Sequence, residues 1–238
     1  MSAGVGVGPV RAAPAPWVSP IPILKKITTD DPVVFLTIDD GFIAPPDLAP
    51  LLQQYGWPVS NFVIGKQLVR RPSYFTGIAP TVDFGNHTLS HKYLPGLSRW
   101  GMVEEICGGA DEVQRLTGHR PTWLRPPGGA FNPRVIEAAV RCGMRALIMW
   151  NVTASDGRIL VGHPGGLKRG DIIILHYLTS TPRTMRALKT ELERLGLRPA
   201  RLADYLPGVY DDQFVTPTTT TTTRSSRTSS TTTTVPVN

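Results

Sequence analysis

Short apolar runs alternating with helix signals constrain this chain most. Residues 33–38 (VVFLTI) and 171–175 (DIIIL) are nearly unbroken apolar stretches, the pattern of strands buried on both faces. Residues 59–64, 81–84, 122–124 and 145–150 read as further strands, and 197–198 as a short last one. Helix signals fall between them. Pro45 and Pro46 open a helix that runs to Tyr55 and stops at Gly56. A second helix is expected over residues 66–77. Ser98 caps a third, with Met102, Ile106, Ala110, Val113 and Leu116 at helical spacing and Gly108 and Gly109 weakening it. Asn132 and Pro133 open a fourth, and Thr181 and Pro182 open one that Gly196 closes.

Strands that alternate with helices pair in parallel through crossovers, and about seven such units predict an α/β fold, a small or incomplete (β/α) barrel. Residues 151–170 break the rhythm with repeated glycines, so a loop or hairpin is expected there. The barrel domain is expected over residues 31–208, after an N-terminal extension over 1–30. Residues 209–238 are Thr/Ser-rich and are expected to form a disordered tail, because such a composition buries no core.

Composition narrows the function classes. Two cysteines exclude a disulfide-stapled scaffold and a Cys-rich zinc module; Cys107 and Cys142 lie on consecutive expected helices, where a disulfide and two separate thiols are both open. No stretch reaches the ~18 apolar residues of a membrane span. The net charge of +7 favours weak attraction to anionic polymers, but its densest cluster, Arg183 to Arg201, is interleaved with Glu191 and Glu193. A solvated helix face is therefore expected, with no specific nucleic-acid partner. The first twenty residues lack the apolar core of a secretion signal. The Thr/Ser/Pro tail resembles the spacers of exported proteins, so an extracellular or wall-associated place is expected, as is a monomer.

Residues with chemical capacity sit at consistent places. Asp39, Asp40 and Gly41 follow the first strand; His87 and His91 follow the third; Arg125-Pro-Pro-Gly-Gly129 follows the fourth; His176 ends the sixth. In a barrel these carboxyl ends converge on one face. Each feature alone has a plain reading: a turn, two surface histidines four apart on a helical turn, a rigid loop, a rim histidine. Their shared location favours a site.

Thr37-Ile-Asp-Asp-Gly41, His87-Thr-Leu-Ser-His91, Arg125-Pro-Pro-Gly-Gly129 and Ile174-Leu-His176 resemble four of the five motifs of the polysaccharide deacetylases, the NodB-homology carbohydrate esterases. The resemblance implies a distorted (β/α) barrel and a metal-dependent hydrolase that removes N-acetyl groups from a glycan such as peptidoglycan or chitin, releasing acetate. It implies that Asp40, His87 and His91 hold a divalent metal, Zn²⁺ first, with Co²⁺, Ni²⁺ or Fe²⁺ suited to similar donors. Asp39 is then the general base, Arg125 its orienting partner and His176 the general acid. A backbone N–H near Gly128 is implied as an oxyanion donor. The fourth motif departs: Thr153 stands where a carboxylate supporting the acid is expected, and Gly157 replaces a tryptophan. Gly128 likewise replaces an aromatic. A catalytically impaired, carbohydrate-binding descendant is the alternative, and Asp156 is the candidate to supply the missing carboxylate.

Overall fold

The computed structural model describes residues 18–79 and 82–206. The expected disordered tail lies outside the described residues. The central strand is β2 (Val33–Asp40), buried along nearly its whole length. Around it run β1 (Ile23–Leu24), β3 (Val59–Val63), β4 (Val82–Asn86), β5 (Trp123–Leu124), β6 (Ala146–Ile148), β7 (Val152–Ser155), β8 (Arg158–Val161), β9 (Ile172–His176) and β10 (Arg198–Pro199). The sheet order is β1-β6-β5-β4-β3-β2-β9-β7-β8, with β10 beside the start of β2. The pairings are parallel except β7–β8. The result is a curled half-barrel.

Helices α1 (Leu48–Tyr55), α2 (Gly65–Arg70), α3 (Pro72–Ile78), α4 (Arg99–Thr117), α5 (Pro133–Arg141) and α6 (Thr181–Leu195) connect the strands. The single helix expected over 66–77 is two. Pro72 lacks the N–H a continuous helix needs and drives Arg71 out of the helical region, to φ −135° and ψ 51°. Ile23–Leu24, within the expected N-terminal extension, pairs in parallel with β6. The glycine-rich stretch forms the β7–β8 hairpin. Its two-residue turn, Asp156-Gly157, has φ of 51° and 77°, as a type I′ turn requires.

Alternation along the strands gives the sheet two apolar faces. Val34, Leu36, Ile38, Ile173 and Leu175 pack outward on Leu48, Leu52, Met185 and Leu188 of α1 and α6. Val33, Phe35, Phe62, Trp123, Ile148 and Ile172 face inward, closed by Leu202 and Leu206. A third cluster joins α4 and α5 to β5 and β6. Cys107 and Cys142 form a disulfide between those two helices, which settles the pairing left open above. The cationic cluster of α6 is largely ion-paired, Lys189 with Glu193, Arg194 with Glu191 and Arg183 with Asp156, which fits a solvated face. Among the described residues, no helix is long and apolar enough to cross a membrane.

Candidate metal centre

The inward parity that buries Phe35 and Ile172 also brings Asp39 and His176 to the inner face. They are register partners on β2 and β9. Asp40, one residue on, would point outward if the strand continued. It does not continue: Asp40 itself takes φ 79°, followed by Gly41 at 94°, so the turn begins one residue before the glycine expected to permit it. Gly41 is nonetheless required, because a Cβ there would lie 2.8 Å from Phe75 and 3.0 Å from Val63. Ile64 N–H donates to the Asp40 carbonyl at 3.1 Å and helps hold the turn.

His87 and His91 converge through a loop, not the helical turn expected from their spacing. Thr88 and His91 both have positive φ, 66° and 64°. For non-glycine residues such backbone costs of order 1 kcal/mol each and persists only where neighbours enforce it. The neighbours are evident. Gly65 and Lys66 N–H groups, at the start of α2, donate to the Thr88 and Leu89 carbonyls at 2.9 Å each. Thr88 N–H donates to Asn86 Oδ1 at 2.8 Å, and His91 N–H to Thr88 Oγ1 at 3.1 Å.

Asp40 Oδ1 lies 3.4 Å from Nε2 of both His87 and His91. The three donor atoms lie within 4.8 Å of one another. His87 Nδ1 sits 2.6 Å from the Arg125 carbonyl, so Nδ1 carries a proton and donates it there, which turns Nε2 toward the centre. Asp40 Oδ1 is buried without a hydrogen-bond partner. A buried oxygen facing ring nitrogens without sharing a proton is costly unless a cation lies between them. Ligands ~2.0–2.1 Å from a tetrahedral Zn²⁺ stand roughly 3.3 Å apart, close to the separation found. The donor set therefore fits a divalent metal. Burial opposes the Asp40 carboxylate, but the imidazoles of His87, His176 and His91 outweigh it and hold the carboxyl below its ordinary range. Burial, reinforced by His87, lowers the His91 pKa, which favours the neutral ring a metal needs.

Behind this centre is Arg125, completely buried. Its Nη1 donates to Asp39 Oδ1 at 2.6 Å and to Thr37 Oγ1 at 2.8 Å. Nε and Nη2 donate to the Ile148 and Met149 carbonyls at 2.8 and 3.0 Å. The Phe62 ring lies 4.2 Å beneath the guanidinium carbon. Asp39 is thus fixed by one oxygen, while Oδ2 stands 3.8 Å from His87 Nε2. Gly128 is exposed, with φ 61° and open space around it, in the loop after Arg125. Asp156 does not fold back toward His176: it lies at the exposed hairpin tip, 3.8 Å from Arg183, because the β7–β8 turn fixes it there.

Three residues to which the sequence assigned no role support the site. Thr37 is buried on the inner face and links Arg125 to the Ile173 carbonyl. Glu105 is buried on α4 against the histidine loop. Gly109 explains one of the glycines that weaken that helix: a Cβ there would lie 2.4 Å from Asn86 Oδ1 and 2.5 Å from the Thr88 backbone. An acid and a glycine on the apolar face of a helix were the available signal. Trp123 is core, whereas Trp150 is only partly buried and lies 5.5 Å from the Arg125 guanidinium.

The polysaccharide deacetylase family model matches residues 26–147. An uncharacterized protein of Streptomyces coelicolor is 35% identical over 196 residues, covering 78% of this chain and 77% of that protein. The peptidoglycan-N-acetylglucosamine deacetylase of Bacillus cereus is 25% identical over 195 residues, covering 76% of this chain and 91% of that one. Among solved structures, a CE4 family pseudoenzyme from Bacillus anthracis has a TM-score of 0.68 at 19% identity, over 77% of this chain and 68% of its own, a likeness of fold. The matched region contains Asp39, Asp40, both histidines and Arg125, and the Streptomyces relative runs along most of the chain; the chain belongs to the polysaccharide deacetylase family.

Proposed function

We propose that the protein is a metal-dependent hydrolase that removes N-acetyl groups from an N-acetylated polysaccharide, peptidoglycan or a chitin-like glycan, releasing acetate and a free amine. The observation that carries this reading is the orphaned Asp40 oxygen, 3.4 Å from two imidazole nitrogens, beside an acid that Arg125 holds. Asp40, His87 and His91 would hold the metal. Zn²⁺ suits one carboxylate and two imidazoles, and Co²⁺, Ni²⁺ or Fe²⁺ suit the same donors. When bound, such an ion polarises a carbonyl and acidifies water.

The chain's own residues do the rest. Asp39 accepts a proton from water through Oδ2, since Arg125 occupies Oδ1. The water oxygen bonds to the acetamide carbon. The exposed loop at Gly128 offers a backbone N–H to the developing oxyanion. His176, beside Asp39 in register, donates a proton to the nitrogen as the C–N bond breaks. The Cys107–Cys142 disulfide supports an oxidising compartment, hence an extracellular or wall-associated place, and the protein acts as a monomer.

The test is acetate release from N-acetylglucosamine oligomers and from peptidoglycan, with Zn²⁺ or Co²⁺ supplied, comparing wild type with Asp39→Asn. Metal-dependent release that the substitution abolishes is expected. Equal rates for both proteins would remove Asp39 as the base. A second reading, a carbohydrate-binding protein with little activity, is favoured by one observation: position 153 offers a hydroxyl, and Asp156 is directed to Arg183. Glycan binding without acetate release would select it.

A further inference from the structure

We propose that Glu105 of α4 is a positioning residue that sets metal affinity by holding the loop that presents His91. This rests on the reading of Asp40, His87 and His91 as metal ligands. Glu105 is 2% exposed on the helix face that packs against the loop. Its carboxylate accepts from the Ser90 N–H at 2.8 Å and from the Ser90 hydroxyl. Its backbone carbonyl accepts from Leu89 N–H at 2.8 Å. Lys92 Nζ lies 3.1 Å from the same carboxylate. One residue of α4 therefore grips positions 89, 90 and 92, on both sides of His91.

The grip has something to resist. Thr88 and His91 are left-handed, a backbone that relaxes toward extended geometry once released. Relaxation at His91 carries its Nε2 away from Asp40. His87 would stay, because it is buried and its Nδ1 is fixed on the Arg125 carbonyl. The helix comes close enough for this contact because position 109 lacks a side chain. A carboxylate on a buried helix face is a poor way to stabilise a core. Its hydrogen bonds go to the loop carrying a ligand, the arrangement by which partners outside the ligand set orient metal ligands.

Removing such partners typically costs 10–100-fold in metal affinity. The experiment is titration of the metal-free protein with Zn²⁺ against a competing chelator, and with Co²⁺ read by its visible absorption. The proteins are wild type, Glu105→Ala, Glu105→Gln and Met102→Ala, the last truncating a buried residue of the same helix that makes no hydrogen bond to the loop. Glu105→Ala is expected to bind Zn²⁺ roughly 10–100-fold more weakly, with a Co²⁺ spectrum altered by the loss of one imidazole. Glu105→Gln keeps one acceptor and should fall between. Met102→Ala should lower thermal stability while leaving affinity within about threefold. Wild-type affinity and spectrum in folded Glu105→Ala would overturn the proposal, as would an equal loss in Met102→Ala. Should Glu105→Ala not fold, Glu105→Gln decides in the same way. Wild type that binds no metal would instead overturn the ligand assignment beneath it.

Discussion

Asp39→Asn is expected to lower both activity and stability, and the structure sets the size of each effect. Arg125 is fully buried, and its counter-charge is Asp39, 2.6 Å away. Asparagine keeps the shape and one acceptor but strands the guanidinium. Breaking a buried pair by removing one partner costs about 3–5 kcal/mol. The retained acceptor argues for the lower end, about 3 kcal/mol, or roughly 6–12 °C in Tm for a domain of this size. Loss of the proposed base should lower kcat by ~10²–10⁴-fold. Thermal unfolding is followed by circular dichroism, with chelator present so that metal binding does not contribute, and acetate release is measured with metal restored. A double-mutant cycle with Arg125→Met identifies the cause. Arg125→Met alone strands Asp39 and leaves Thr37, Ile148 and Met149 short of a donor. The double variant should be more stable than the sum of the singles by about 2 kcal/mol or more. An Asp39→Asn protein within about 0.5 kcal/mol of wild type, with no coupling to Arg125, would refute the account of a buried charge pair.

Three other outcomes follow from the same geometry. Thr153→Asp places a carboxylate on the inner face of β7, where parallel register sets Thr153 beside Ile174, two residues before His176. A nearby carboxylate favours imidazolium, so a general acid there stays protonated to higher pH. The alkaline limb of the pH–rate profile should therefore move upward, and an unchanged profile would deny position 153 that role. Gly109→Ala should cost about 1–3 kcal/mol and weaken metal binding, because the new Cβ meets backbone at Thr88. Gly108→Ala, whose nearest neighbour is the movable Leu89 side chain at 3.1 Å, should be much milder in the same denaturant and metal titrations. Replacing Cys107 and Cys142 by alanine opens a 35-residue loop and should lower stability by about 4 kcal/mol if loop entropy dominates, read as a shift in the urea midpoint.

What the sequence made legible follows from what periodicity encodes. The nearly unbroken apolar run before Asp39-Asp40 reads as a strand buried on both faces, and the structure makes it the central strand, with Asp39 and Asp40 at its carboxyl end. The glycine-rich stretch was legible as a break, and a positive φ at Asp156-Gly157 made that break a hairpin. The conformation of the ligand segments was not legible. Spacing of four suggests a helical turn for His87 and His91, but local bonds from Asn86 and Thr88 together with distant contacts from Gly65, Lys66 and Glu105 hold Thr88 and His91 left-handed. Asp40 is alike: its left-handed turn is enforced by a bond from Ile64 on the neighbouring strand's end, a partner distant in sequence. The residues proposed to hold a metal are thus named by local motif, but much of what aims them comes from elements far along the chain. Helix α4 shows the consequence. Read alone it is a flawed amphipathic helix, with an acid at 105 and a glycine at 109 on its apolar face. Against the histidine loop, one supplies the bond and the other the room for it. Departures from good helix design are therefore where this chain gives up local stability to hold the histidine loop, which is why altering either residue should weaken metal binding.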